Sequence, residues 1–175
     1  MVKLYVCKIC GEPYLGGEAP DDCGFCGAPK NYLKDVEEFS PLWGVELSDS
    51  ERKDIEETLK LEVNATAYYT KVAGRDEKYS KYNRMFKQLA RVEKEHAEVA
   101  AKFLGVELPE IVGEGLRESI EGDLERTREL EKDAVVLYEG FLKNVENANV
   151  KNFYMALIHA EKGHHEIVSD EIEKI

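Results

Sequence analysis

Residues 86–99 read FKQLARVEKEHAEV, and residues 154–167 read YMALIHAEKGHHEI. Laid over each other, Glu93 falls on Glu161, His96 on His164, Leu89 on Leu157, Phe86 on Tyr154 and Val99 on Ile167. A Glu at i and a His at i+3 share one helix face and can reach the same ion. Apolar neighbours at −4, −7, +6 and +7 turn that face toward a core. A carboxylate in a core is costly unless it is paired or bound to a cation. The pattern therefore predicts two helices that each carry a metal-binding Glu-x-x-His into the middle of a bundle.

A second alignment extends the first. With Glu62 over Glu131, Ala65 falls on Ala134, Tyr69 on Tyr138, Val72 on Phe141 and Ile55 on Leu124. Glu93 follows Glu62 by 31 residues and Glu161 follows Glu131 by 30. Amphipathic patterning accounts for the apolar matches, but it does not place both Glu-x-x-His motifs at the same distance from a partner glutamate. Four glutamates and two histidines, Glu62, Glu93, His96, Glu131, Glu161 and His164, thus converge as the expected ligands and catalytic groups of a dinuclear site. One Glu from each of two helices and a Glu-x-x-His from each of the other two is the ligand pattern of di-iron carboxylate bundles. Four carboxylates balance two Fe²⁺ ions. Tyr69 and Tyr138, two turns beyond Glu62 and Glu131, read either as core or as phenols hydrogen-bonded to those carboxylates. His159 reads as structural and His165 as solvent-exposed. Arg128, one turn before Glu131, falls on the metal-facing stripe in this register.

The surrounding sequence supplies four helices. Ser48 and Glu51 form a capping box, so the first starts near Asp49 and runs to about Gly74. A second starts between Asp76 and Ser80 and ends at Gly105. A third covers roughly 115–146, and a fourth follows the turn at 147–149 to the end of the chain. The connection through Pro109, Gly113 and Gly115 joins two helix hairpins, the layout of a mainly α four-helix bundle with one crossover. Residues 105–115 reach roughly 36 Å fully extended, barely a long helix, so exchange of helix pairs between two chains is within reach.

All four cysteines of the 175-residue chain lie earlier, as Cys7-x-x-Cys10 and Cys23-x-x-Cys26, each pair followed by a glycine. Thiolates at this spacing wrap one tetrahedral ion, and the glycine lets backbone N–H groups turn toward sulfur. Cys₄ serves zinc as well as iron, so spacing leaves the metal open. Residues 1–36, with Pro13, Pro20 and Pro29, are too short and turn-rich to fold without such a staple. Residues 37–48 read as a linker that Phe39, Leu42 and Trp43 dock, and 49–175 as the bundle.

The 36 acidic residues exceed the 24 basic ones, for a formal charge of −12. That sign argues against nucleic acid and anionic membranes as partners. No long apolar run suggests a membrane span, and the N-terminus lacks the apolar stretch of a signal peptide; both point to the cytoplasm.

CKICGEPYLGGEAPDDCGFCGAPKNY (residues 7–32) resembles the rubredoxin-like module of rubrerythrins, and the helical part resembles their ferritin-like di-iron domain. Most family members carry the module last; here it comes first, as in the reverse type. The resemblance implies one iron on Cys7, Cys10, Cys23 and Cys26, and a di-iron centre on Glu62, Glu93, His96, Glu131, Glu161 and His164. It also implies reduction of hydrogen peroxide to water, with electrons passed from reduced pyridine nucleotide through carriers to the cysteine iron and on to the iron pair. Many members are homodimers in which the cysteine site of one chain serves the di-iron site of the other. Two positions depart from the family. Gly24 stands where proline is usual. Ala134 stands where many members carry an additional glutamate, three residues after the third-helix ligand, that takes part in a redox-linked iron movement. The remaining six-residue set equally resembles ferritins, which leaves ferroxidase or iron storage, an oxygen-reducing oxidase, and a colourless zinc-ribbon protein as competing expectations.

Overall fold

The cysteine-rich end builds a sheet rather than a core. The computed structural model describes residues 1–110 and 113–175. In it, strands β1 (Lys3–Cys7), β2 (Pro13–Gly16) and β3 (Leu33–Asp35) pair antiparallel in the order β2-β1-β3. Leu4 lies opposite Leu15, yet both are exposed. What the module buries is its four sulfurs together with Val6, Ile9, Ala28, Tyr32 and Leu33. The linker packs as its apolar residues suggest. Leu42 is fully buried, and the Trp43 ring would lie 3.1 Å from a Cβ on Gly11, a glycine at φ +86° that turns the first knuckle.

Among the described residues four long helices follow: α1 (Asp49–Ala73), α2 (Ser80–Leu104), α3 (Ile120–Leu142) and α4 (Ala148–Ile172). The capping box forms: the Ser48 hydroxyl accepts from the Glu51 amide and the Glu51 carboxylate accepts from the Ser48 amide. The other Glu51 oxygen takes the amides of Glu146 and Asn147, which pins the start of α1 to the α3–α4 turn. Helix α3 is shorter at both ends than 115–146. Ser119 caps it by accepting from Gly122, and residues before it are engaged elsewhere: Lys71 Nζ donates to the carbonyls of Gly113 and Glu114. At the far end the Asn147 side chain caps α4 instead.

Helix α1 packs along α2, α3 along α4, and α1 meets α3. The repeat holds in the core: Ile55 and Leu124, Tyr69 and Tyr138, Phe86 and Tyr154, and Leu89 and Leu157 are all buried. It fails at one pair. Val99 is buried, whereas Ile167 is 47% exposed and its neighbour Val168 points inward instead. The part of the connection at residues 111–112 lies outside the described residues, so the expectation of helix exchange falls partly there. No helix among the described residues is long and apolar enough to cross a membrane.

One buried charge escaped the sequence reading. Asp123 is fully buried and accepts from the Tyr68 hydroxyl at 2.8 Å, the Arg117 amide at 2.8 Å and Arg75 Nε. It locks the crossover to the end of α1. Removing one partner of a buried pair leaves the other uncompensated, so Asp123→Ala is expected to cost about 3–5 kcal/mol in urea denaturation, against less than about 0.5 kcal/mol for exposed Asp133→Ala. Similar losses in the two variants would show that Asp123 locks nothing.

Candidate metal centres

The two knuckles bring four sulfurs together. Cys7 Sγ lies 3.6 Å from Cys26 Sγ, and Cys10 Sγ 3.9 Å from Cys23 Sγ. A tetrahedral ion with metal–sulfur bonds of about 2.3 Å has ligand–ligand edges of about 3.8 Å, so these spacings fit one ion and no disulfide forms. The amides of Gly11 and Gly27 close each knuckle on the carbonyls of Cys7 and Cys23. All four thiols are buried, and burial raises the cost of ionising them without a cation.

The bundle assembles the second cluster. Glu62 (α1), Glu93 and His96 (α2), Glu131 (α3), and Glu161 and His164 (α4) converge in its middle, and the four glutamates and His96 are at most 3% exposed. Donor atoms of Glu62, Glu93, His96 and Glu161 lie within 4.8 Å of one another, as do those of Glu93, Glu131, Glu161 and His164. The cluster is therefore two overlapping donor sets. Glu93 and Glu161 belong to both, while Glu62 with His96, and Glu131 with His164, belong to one each. His96 Nδ1 is 3.0 Å from Glu93 and 3.2 Å from Glu161; His164 Nδ1 is 3.0 Å from Glu93 and 2.9 Å from Glu161.

The electrostatics call for cations. Both carboxylate oxygens of Glu93, one of Glu161, and Nδ1 of His96 are buried without a hydrogen-bond partner. Buried polar atoms are seldom left so, and these all aim at the same space. Burial, then the charge of Glu161, pushes the Glu62 carboxyl up to about 8. Burial and the charges of Glu93 and Glu161 hold Glu131 well above the carboxylate range. Burial alone would lower His96 and His164, but the surrounding carboxylates outweigh it and hold both well above the usual histidine value. Burial likewise opposes the ionised form of Glu161, but its two histidine neighbours win and hold it below the carboxylate range. Protons thus sit where two divalent cations fit, and both sites suit iron in donor type and number.

The tyrosines act across the bundle. Tyr69 on α1 donates to Glu131 on α3, and Tyr138 on α3 donates to Glu62 on α1. Each phenol is fully buried and, by burial and the carboxylate beside it, held protonated. Arg128 corrects the register reading: it is half-exposed and reaches Glu125, three residues earlier, because a long side chain at the edge of a stripe carries its charge to water. His165 is half-exposed and outside the cluster. His159 Nε2 lies 2.7 Å from Asp22, joining α4 to the cysteine module.

That join is one of several. His96, whose Nδ1 faces the carboxylates, donates from Nε2 to the Cys26 carbonyl at 2.9 Å. Arg91 Nη2 donates to the Gly24 carbonyl, Lys102 Nζ to that of Cys10, and the Tyr32 hydroxyl to Asn152. A Cβ on Gly27 would lie 2.9 Å from the Ala160 Cβ, so only glycine lets the second knuckle sit this close to α4. The cysteine module and the bundle of one chain are in direct contact.

Comparison with known proteins matches the two parts separately. Residues 5–34 match the model for the rubrerythrin rubredoxin-like domain, and residues 54–132 match the rubrerythrin model. Reverse rubrerythrin-1 of Clostridium acetobutylicum is 31% identical over 114 residues, 59% of this chain and 63% of that protein's length.

Proposed function

Because the chain belongs to the rubrerythrin family, with its rubredoxin-like domain ahead of the helical domain, we propose that it is a non-haem di-iron peroxidase that reduces hydrogen peroxide to water, with electrons relayed through the N-terminal cysteine-bound iron. Cys7, Cys10, Cys23 and Cys26 would hold the single iron. Glu62 and His96 would hold one bundle iron and Glu131 and His164 the other, with Glu93 and Glu161 offering donors to either set. Bound iron supplies reversible one-electron redox change at both places and Lewis acidity in the bundle.

The observation that carries this reading is His96, which touches both sites at once: Nδ1 lies among the carboxylates while Nε2–H is held by the Cys26 carbonyl. That hydrogen bond commits Nε2 as a donor, so Nδ1, once its proton is displaced, is the nitrogen that would bind metal. Tyr69 and Tyr138 each occupy one oxygen of a terminal glutamate and so set which oxygen faces the centre. Turning one hydrogen peroxide into two waters takes two electrons and two protons. The proposed donor of the electrons is a reduced carrier or its reductase, in the cytoplasm, and the proposed assembly is a homodimer.

One observation favours a second reading. Ala134 lines the bundle cluster at the position where the family resemblance implies an additional glutamate in many members, which fits an oxygen-reducing oxidase or a ferroxidase on the same ligands. Stopped-flow mixing separates the two. Protein loaded with iron and reduced under argon is mixed with hydrogen peroxide or dissolved oxygen, and the visible band of oxidised cysteine iron is followed. Faster recolouring with peroxide is the expected result. Faster recolouring with oxygen would transfer the assignment to the oxidase, and a colourless iron-treated protein with zinc in the cysteine site would remove the relay.

A further inference from the structure

A cavity of about 150 Å³ runs from the surface between α1 and α3 to the four cluster glutamates. Its mouth is formed by exposed Asn64, half-buried Leu61 and Leu130, and Glu114 from the crossover. Ala65 and Ala134, both buried, line it further in. These two alanines are counterparts in the internal repeat, so each half of the bundle withholds side-chain volume at the same place. Interiors close-pack, and a gap of this size beside buried carboxylates is a departure from that rule.

We propose that this cavity is the route and holding site for the oxidant, that it selects small uncharged molecules, and that Ala134 sets the selection. The proposal rests on the reading of the bundle cluster as the place where oxidant is reduced.

Size supports it. A cavity of about 150 Å³ is filled by a molecule of benzene's size, so it takes hydrogen peroxide or dioxygen readily and has no room for a hydroperoxide that carries a branched alkyl group in addition to a phenyl ring. Charge supports it too. Glu114 is paired at the mouth with Arg126 at 2.6 Å and Arg117 at 2.7 Å, leaving no free cation among the described lining residues to draw an anion in. The net charge of −12 repels anions further.

Three probes test it on the iron-loaded, reduced full chain: nitric oxide binding read by visible absorption, and oxidation by hydrogen peroxide and by cumene hydroperoxide. Ala134→Leu puts three more carbons into the cavity. With iron content and the cysteine-iron band equal to those of the native protein, it is expected to weaken nitric oxide binding and slow oxidation by hydrogen peroxide by at least about tenfold. Leu61→Ala with Leu130→Ala widens the mouth and is expected to raise the ratio of cumene hydroperoxide to hydrogen peroxide rates by at least about tenfold. Native rates and native nitric oxide affinity in Ala134→Leu would overturn the proposal. Should that variant lose iron, Ala65→Leu fills the cavity from the opposite wall, and the rate ratio of the widened protein decides in either case: an unchanged ratio overturns it. A native protein that reacts faster with oxygen than with peroxide removes the peroxidase reading alone. The cavity proposal then stands or falls on whether Ala134→Leu blocks oxygen and nitric oxide together.

Discussion

Stripped of metal, the protein is expected to lose stability as the pH rises from about 5.5 to 8, while the iron-loaded protein is not. Glu62 and Glu131 have folded-state values above the ordinary carboxylate range, and His96 and His164 lie above the ordinary histidine value. A group whose folded value is raised holds its proton more tightly when folded. The stability it adds is complete below its unfolded value and disappears as the pH climbs toward the folded one. Glu161 has the opposite sign, and its contribution is lost only below the ordinary carboxylate range. Glu62, with a folded value of about 8, alone accounts for on the order of 3 kcal/mol between pH 5.5 and 8. For a chain of this length that is a fall in melting temperature of roughly 6–12 °C. Two Fe²⁺ ions displace those protons, so loading should raise the melting temperature most at the higher pH and release protons in calorimetry. A metal-free protein that melts at the same temperature at both pH values, or loading without proton release, would mean that the cluster is not a two-cation site.

The second large effect concerns the contact between the sites. Gly27 has φ +68° and no room for a Cβ against Ala160. Gly27→Val should therefore push the second knuckle off α4 and part the Cys26 carbonyl from His96 while leaving both donor sets complete. Electron delivery to the bundle site is expected to fall on the order of 100-fold, the scale that a 1 Å misplacement costs a reaction. Iron content and the cysteine-iron band should stay unchanged. A mixing experiment then tests whether delivery runs within one chain. Cys23→Ser lacks one site and Glu62→Ala the other, and the two variants are refolded together. Because the module contacts its own bundle, the mixture should show no more peroxide reduction than the separate variants. Recovery of activity would place the working contact between chains and sink the intrachain route.

Much of the candidate site was legible in the chain. The Cys-x-x-Cys spacing and its following glycines dictate a four-sulfur pocket, because so short a span between thiols leaves few other arrangements. The EKEH and EKGH segments in repeat register dictate that Glu and His share a buried face, because helical period and apolar neighbours are local properties. Other features left no local trace. Asp123 looks like any of the 36 acidic residues, and only the approach of Tyr68, Arg75 and Arg117 from distant positions makes it a buried lock. Arg128 shared the stripe's register yet turned to solvent, since a flexible side chain at the stripe's edge is not bound by helical phase.

The sequence by itself thus determined which residues meet in the two buried clusters and on which helix faces they lie, since spacing and periodicity act over a few residues. Only the tertiary structure decided that Glu93 and Glu161 serve both donor sets, that each tyrosine holds the glutamate of the opposite hairpin, and that His96 meets Cys26. Those are distances between segments 30 to 70 residues or more apart, set by how helices and module pack, and no local pattern encodes them.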